Sequence, residues 1–171
     1  MATESQRPVV EPLLMLNLAM YAVVSAIAGW AVNYSINETY DAASRLSYPL
    51  RLFPIYFPIG NMATGLFVLF ALVAGVVGIG SSIAGILSIR EDRPGSWASG
   101  ASFAVVAWAL TLLAMGLACK EIDLKGRNAS LRTLEAFTII LTATQLFCVG
   151  AFHVGVDGMV SESRRHQAGR V

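Results

Sequence analysis

Long apolar runs separated by short polar interruptions dominate the chain. The runs cover residues 13–32, 59–89, 97–119 and 131–156. The first three carry no charge, whereas the fourth contains Arg132, Glu135 and His153. A bilayer hydrocarbon core of about 30 Å is crossed by roughly 20 helical residues, and each run meets that length. Backbone groups in lipid have no water to bond, so the runs must satisfy themselves as helices. The short alternating segments of a membrane β-barrel are absent. The pattern predicts an all-α fold, a four-helix transmembrane bundle.

The interruptions agree with this reading. Pro12 stands where a first helical residue tolerates proline. Residues 90–95, Arg-Glu-Asp-Arg-Pro-Gly, read as a short turn, and 120–130 as a longer polar loop. The largest loop, 33–58, ends in a stretch with Pro49, Pro54 and Pro58 that excludes regular helix. Its Phe53, Tyr56 and Phe57 suit the headgroup layer. Residues 1–11 and 157–171 read as flexible cytoplasmic tails, leaving 12–156 as the membrane domain. A cleavable signal is disfavoured, because Arg7 is outnumbered by Glu4 and Glu11 and the apolar run continues past the small residues at 26–28.

Composition narrows the function. Only 13% of the 171 residues are charged, against about 25% in soluble domains. A net charge of +1 with no basic, aromatic-interleaved stripe gives nucleic acid nothing to bind. Cys119 and Cys148 are the two cysteines, and no metal-ligand spacing occurs, so neither metal nor cofactor is expected. No GxSxG, HExxH, P-loop or dinucleotide fingerprint appears, and an enzyme is not expected.

Four spans put both termini on one side. Charge does not say which side, since six Lys/Arg flank each face: Arg7, Arg90, Arg93, Arg164, Arg165 and Arg170 against Arg45, Arg51, Lys120, Lys125, Arg127 and Arg132. Two glycosylation triplets, at Asn37 and Asn128, fall on the face opposite the termini and favour cytoplasmic termini. The helical rise then separates Cys119 from Cys148 by about 25 Å, too far to pair.

Small residues recur at helical spacing in span two (Ala71, Gly75, Gly78, Ser82, Gly85) and span one (Ala19, Ala22, Ala26, Gly29). Such stripes let membrane helices approach closely, and they read first as packing within the bundle and, alternatively, as a sliding interface in a transporter. Span four carries Glu135, Thr138, Thr142 and Gln145 at three- and four-residue steps, hence on one face. An ionisable group inside a span normally faces the bundle interior and finds a partner. Two readings follow. Glu135 pins spans three and four through Lys120 or Arg132, or Lys120, Arg132 and Glu135 form a mouth for an anion, with Thr138, Thr142 and Gln145 continuing a polar path. His153, near the opposite end with Asn17, is either a proton relay or an interfacial residue.

At 108–122, Trp-Ala-Leu-Thr-Leu-Leu-Ala-Met-Gly-Leu-Ala-Cys-Lys-Glu-Ile, the chain resembles the abscisic-acid-induced wheat plasma-membrane polypeptide family. The blocks 131–141, 144–147 and 71–78 carry the same resemblance, which spans roughly residues 11–155. It implies a small four-span plant plasma-membrane protein tied to abscisic acid, drought or cold stress and seed dormancy. Some members are regarded as importers of that hormone. The expected partners are the lipid bilayer, a small organic acid and further copies of the chain, because four spans are few for a carrier built from two large repeats. In that homo-oligomer the small-residue stripes are the expected contacts. The rival expectation is a stress-induced protein that stabilises the membrane without moving solute.

Overall fold

A computed structural model describes residues 2–45, 62–91, 93–122 and 129–168. They form four α-helices and, among the described residues, no strand: α1 (Ala2–Arg45), α2 (Met62–Glu91), α3 (Pro94–Ile122) and α4 (Ala129–Ala168). Each is long and apolar enough to cross a bilayer. The helices pack in a ring, α1 on α2, α2 on α3, α3 on α4 and α4 back on α1. Consecutive helices therefore run antiparallel. One end of the bundle holds the termini and the α2–α3 turn, and the other holds the start of α2, the end of α3 and the start of α4.

The α2–α3 turn shows how the sequence stops and restarts a helix. Pro94 takes the first helical position, where its missing N–H costs nothing. The Arg93 carbonyl accepts from the Trp97 N–H at 3.1 Å. Ser96 Oγ donates back to Glu91 Oε2 at 2.5 Å across the turn. At the same end Arg90 lies 3.8 Å from Glu11, an exposed pair linking α2 to α1.

Three sequence expectations change. Residues 2–11 and 157–168 are helical rather than flexible tails, and 33–45 continue α1 rather than opening a loop. The physical reason is the absence of a stop. No proline or glycine occurs between Gly29 and Pro49, and α4 runs on to the residue before Gly169. Pro8 and Pro12 lie inside α1. Each lacks the N–H its helix would use, but both sit at the terminal end, where water can serve the freed carbonyls. The aromatic segment around Phe53, Tyr56 and Phe57 and the sequon residue Asn128 lie outside the described residues. Asn37 is exposed on α1.

The span-two stripe is a seam within the bundle, the packing its spacing predicts, and its glycines are occupied by α1 rather than left for a second copy. A Cβ at Gly75 would overlap Ser25 Oγ and stand 3.2 Å from the Ser25 backbone nitrogen. A Cβ at Gly78 would overlap the Tyr21 ring, and one at Gly85 would lie 3.2 Å from Leu14. The glycines thus set the approach of α1 to α2. In contrast, Ala19, Ala22 and Ala26 of α1 face outward. Around them the outer surface is apolar, with Phe147 70% and Val76 59% exposed. Such a surface belongs against acyl chains, since contiguous apolar area of this kind is rare on soluble monomers. Trp30 and Tyr34 stack at 5.6 Å on the outer face of α1, amphipathic rings of the type that gathers at a membrane interface.

Candidate functional site

A line of polar side chains runs through this otherwise apolar interior. On α4, Glu135, Thr138, Thr142 and Gln145 are all buried, as their helical spacing requires once that face turns inward. Thr138 Oγ1 donates to the Leu134 carbonyl at 2.7 Å, and Thr142 Oγ1 to the Thr138 carbonyl at 2.9 Å. Their protons are committed to the helix, and their oxygens stay available as acceptors.

Nearer the terminal end the line crosses all the way to α1 and α3. Asn17 Nδ2 donates to Gln145 Oε1 at 2.8 Å and to Cys148 Sγ at 3.3 Å. Gln145 Nε2 donates to the Ala104 carbonyl at 3.3 Å. One turn along α1, the Tyr21 hydroxyl and Thr111 Oγ1 share a 2.9 Å hydrogen bond across the bundle. At the opposite end Thr64 Oγ1 of α2 donates to Glu121 Oε1 of α3 at 2.7 Å, with Glu121 only 3% exposed.

The proposed mouth of Lys120, Arg132 and Glu135 is divided by the helix geometry. Glu135 turns inward, while Lys120 and Arg132 are exposed. Adjacent residues on a helix differ by about 100°, so burying Glu121 swings Lys120 out. Glu121 takes the inward place at that end. It was legible as the last member of a buried series, Thr111, Ala114, Ala118 and Glu121, at helical spacing. Thr64 and the Tyr21–Thr111 pair carried no comparable signal, because only the three-dimensional pairing brings them onto the line.

His153 is not on this line. It is exposed, with Nδ1 2.8 Å from the Val149 carbonyl. It lines an outer groove of about 430 Å³ between α3 and α4, together with Ser102 and Asp157. Cys119 is exposed and Cys148 buried, both as free thiols. Among the described residues no three His, Cys, Asp or Glu side chains converge as a metal site.

The Asn17–Gln145 bond is testable as a pair. Hydrogen bonds between membrane helices couple by about 0.6 kcal/mol on average and up to about 1.7. A double-mutant cycle with Asn17→Ala and Gln145→Ala, read from unfolding midpoints in mixed micelles, is expected near the upper figure, because the bond is fully buried and short. Strict additivity would disprove the coupling.

Four long apolar helices enclosing a polar line define a multi-pass α-helical membrane protein. Comparison with known proteins gives the particular kind. The model of the AWPM-19-like family matches residues 15–155. The rice (Oryza sativa subsp. japonica) membrane protein PM19L is 44% identical over 151 residues, which cover 88% of this chain and 80% of the rice protein. The chain therefore belongs to the AWPM-19-like family of plant membrane proteins. No solved structure matches it significantly.

Proposed function

We propose that this protein facilitates uptake of abscisic acid, or a weak organic acid of the same kind, across the plant plasma membrane during drought or cold stress and in seed dormancy. The observation that supports this reading is the buried polar line. Polar and acidic side chains are costly inside a membrane and cluster where a solute, ion or proton moves. The protonated acid partitions into lipid, whereas its anion does not, because burying charge is expensive. In the proposed mechanism Lys120 and Arg132, exposed near one bundle end, draw the carboxylate. Glu135, with Glu121 beside the same entrance, exchanges the proton. Thr138, Thr142 and Gln145 then offer hydrogen bonds to the neutral acid along α4. His153, on the outer wall, has no part in this relay. The termini are cytoplasmic in this reading and the Lys120–Arg132 end is external. A homo-oligomer remains part of the proposal, with its contacts on the outward alanines of α1.

The test is flux. Purified protein in liposomes with an acidic exterior is expected to accumulate labelled abscisic acid faster than protein-free vesicles. Equal rates would reject transport. Glu135→Gln, which keeps the shape but cannot ionise, is expected to remove the dependence of uptake on the pH gradient while leaving the unfolding midpoint near that of the parent. Unchanged pH dependence in the folded variant would remove Glu135 from the mechanism.

One observation favours the rival, membrane-stabilising role. Much of the polar line is satisfied by its own members, in the Asn17–Gln145, Tyr21–Thr111 and Thr64–Glu121 bonds. Such bonds serve to hold a bundle together whether or not anything passes through it.

A further inference from the structure

The polar layer around Asn17 has an arithmetic that does not close. Gln145 Nε2 donates to the Ala104 carbonyl. A carbonyl only accepts, so the amide orientation of Gln145 is fixed and its Oε1 must face Asn17. Asn17 in turn must present Nδ2 to Gln145, as it does. The remaining Asn17 Oδ1 is an acceptor that neither of these α4 partners uses. It is buried and has no hydrogen-bond partner.

The register of the α1–α2 seam says what lies opposite. Gly78 packs on Tyr21 and Gly85 on Leu14. Antiparallel pairing between these points brings Ser82 to the level of Leu18 and Asn17. Ser82 is fully buried, and its Oγ is also without a partner. The buried Thr111, Thr138 and Thr142, in contrast, each donate to the carbonyl four residues back, and Ser25 Oγ, nearer the other end of the same seam, shares the unpaired state of Ser82. An orphan acceptor on α1 thus shares a layer with an orphan hydroxyl on α2, and they do not bond each other directly.

We propose that a single buried water molecule bridges Asn17 Oδ1 and Ser82 Oγ, donating one hydrogen to the amide oxygen and accepting the serine proton. Buried waters occupy polar sites where they complete two to four hydrogen bonds, and apolar voids stay dry. The chemistry of the site selects water over an ion. One amide oxygen and one hydroxyl are too few oxygens for a calcium or magnesium ion. An anion would have only the serine proton to meet. The layer lies about 12 Å from the Arg90 level, by helical rise from Ser82, well inside the hydrocarbon. The inference stands independently of solute transport, because it follows from hydrogen-bond accounting alone.

The experiment is water-edited magic-angle-spinning NMR of the full-length, isotope-labelled chain in lipid bilayers. Magnetisation starting on water is expected to reach the Asn17 side-chain amide and Ser82 Cβ, while the buried Leu134 and Leu141 methyls remain dark at the same mixing time. Ser82→Val, which places a methyl group in the water's seat, is expected to drop the Asn17 signal to the level of those leucines. The Asn17 Nδ2 shift, set by its bond to Gln145, reports whether that variant is folded. If Ser82→Val fails to fold, Ser82→Ala removes the hydroxyl that donates to the water, and its Asn17 signal is expected to fall relative to the parent. No transfer to either site in the parent, or transfer to Asn17 with Ser82 dark because its hydroxyl has turned onto the Gly78 carbonyl, would overturn the bridge.

Discussion

Gly78→Ala is expected to destabilise the bundle by about 1–3 kcal/mol, the usual cost of forcing an extra group into a packed interior. The new methyl would overlap the Tyr21 ring. That ring has little room to retreat, because it is fully buried and its hydroxyl is tied to Thr111 on the far side of the bundle. The clash is therefore passed to the α1–α2 separation, and both the ring contact and the Tyr21–Thr111 bond weaken together. Gly80→Ala is the matched control. A Cβ there meets nothing within 4 Å, so the change is expected to be neutral or mildly stabilising, since alanine exceeds glycine in helix propensity by up to about 1 kcal/mol. Unfolding midpoints in mixed micelles decide the matter. Equal midpoints for the two variants would mean that α1 and α2 do not meet through this glycine.

Trp97→Ala is the second large effect, about 3 kcal/mol. This is the lower end of the range for truncating a buried large aromatic residue in water, because lipid supplies no hydrophobic drive between helices and leaves packing as the main loss. Trp97 is fully buried, meets Phe152 edge-on at 5.7 Å, and fills the space over Gly155. Its indole N–H is buried without a hydrogen-bond partner. Trp97→Phe should therefore retain most of the stability, costing about 1 kcal/mol for the roughly 40 Å³ gap that the smaller ring leaves. A Phe variant as unstable as the Ala variant would show that the indole nitrogen, not the packing, matters there.

The four spans were legible because hydrocarbon imposes a length and a polarity that few other environments do. The inward face of α4 was legible for a related reason, since Glu135, Thr138, Thr142 and Gln145 repeat at helical spacing and polar groups avoid lipid. Lys120 and Arg132 were harder to place. Their charge announced a functional end, but their direction follows from which neighbours the bundle buries, and Glu121 took the inward position. Helix ends were also misread. Polar composition at 33–45 and 157–168 looked like loop, yet nothing in those segments halts a helix already under way. The stripe on α2 announced close packing, but not whether the partner was α1 or a second molecule. Only the placement of Ser25, Tyr21 and Leu14 against it answers that.

The length of α4 has a consequence of its own. Its 40 residues extend for about 60 Å, twice the thickness of a hydrocarbon core. The surplus carries Arg164 and Arg165 on an unbroken rod continuous with the membrane wall. When bilayer thickness changes, a spanning helix tilts to compensate, and a stiff extension converts a small tilt at the lipid into a larger sideways swing of its charged tip in water. In effect the helix is a lever arm, whose far end moves further than the wall it grows from.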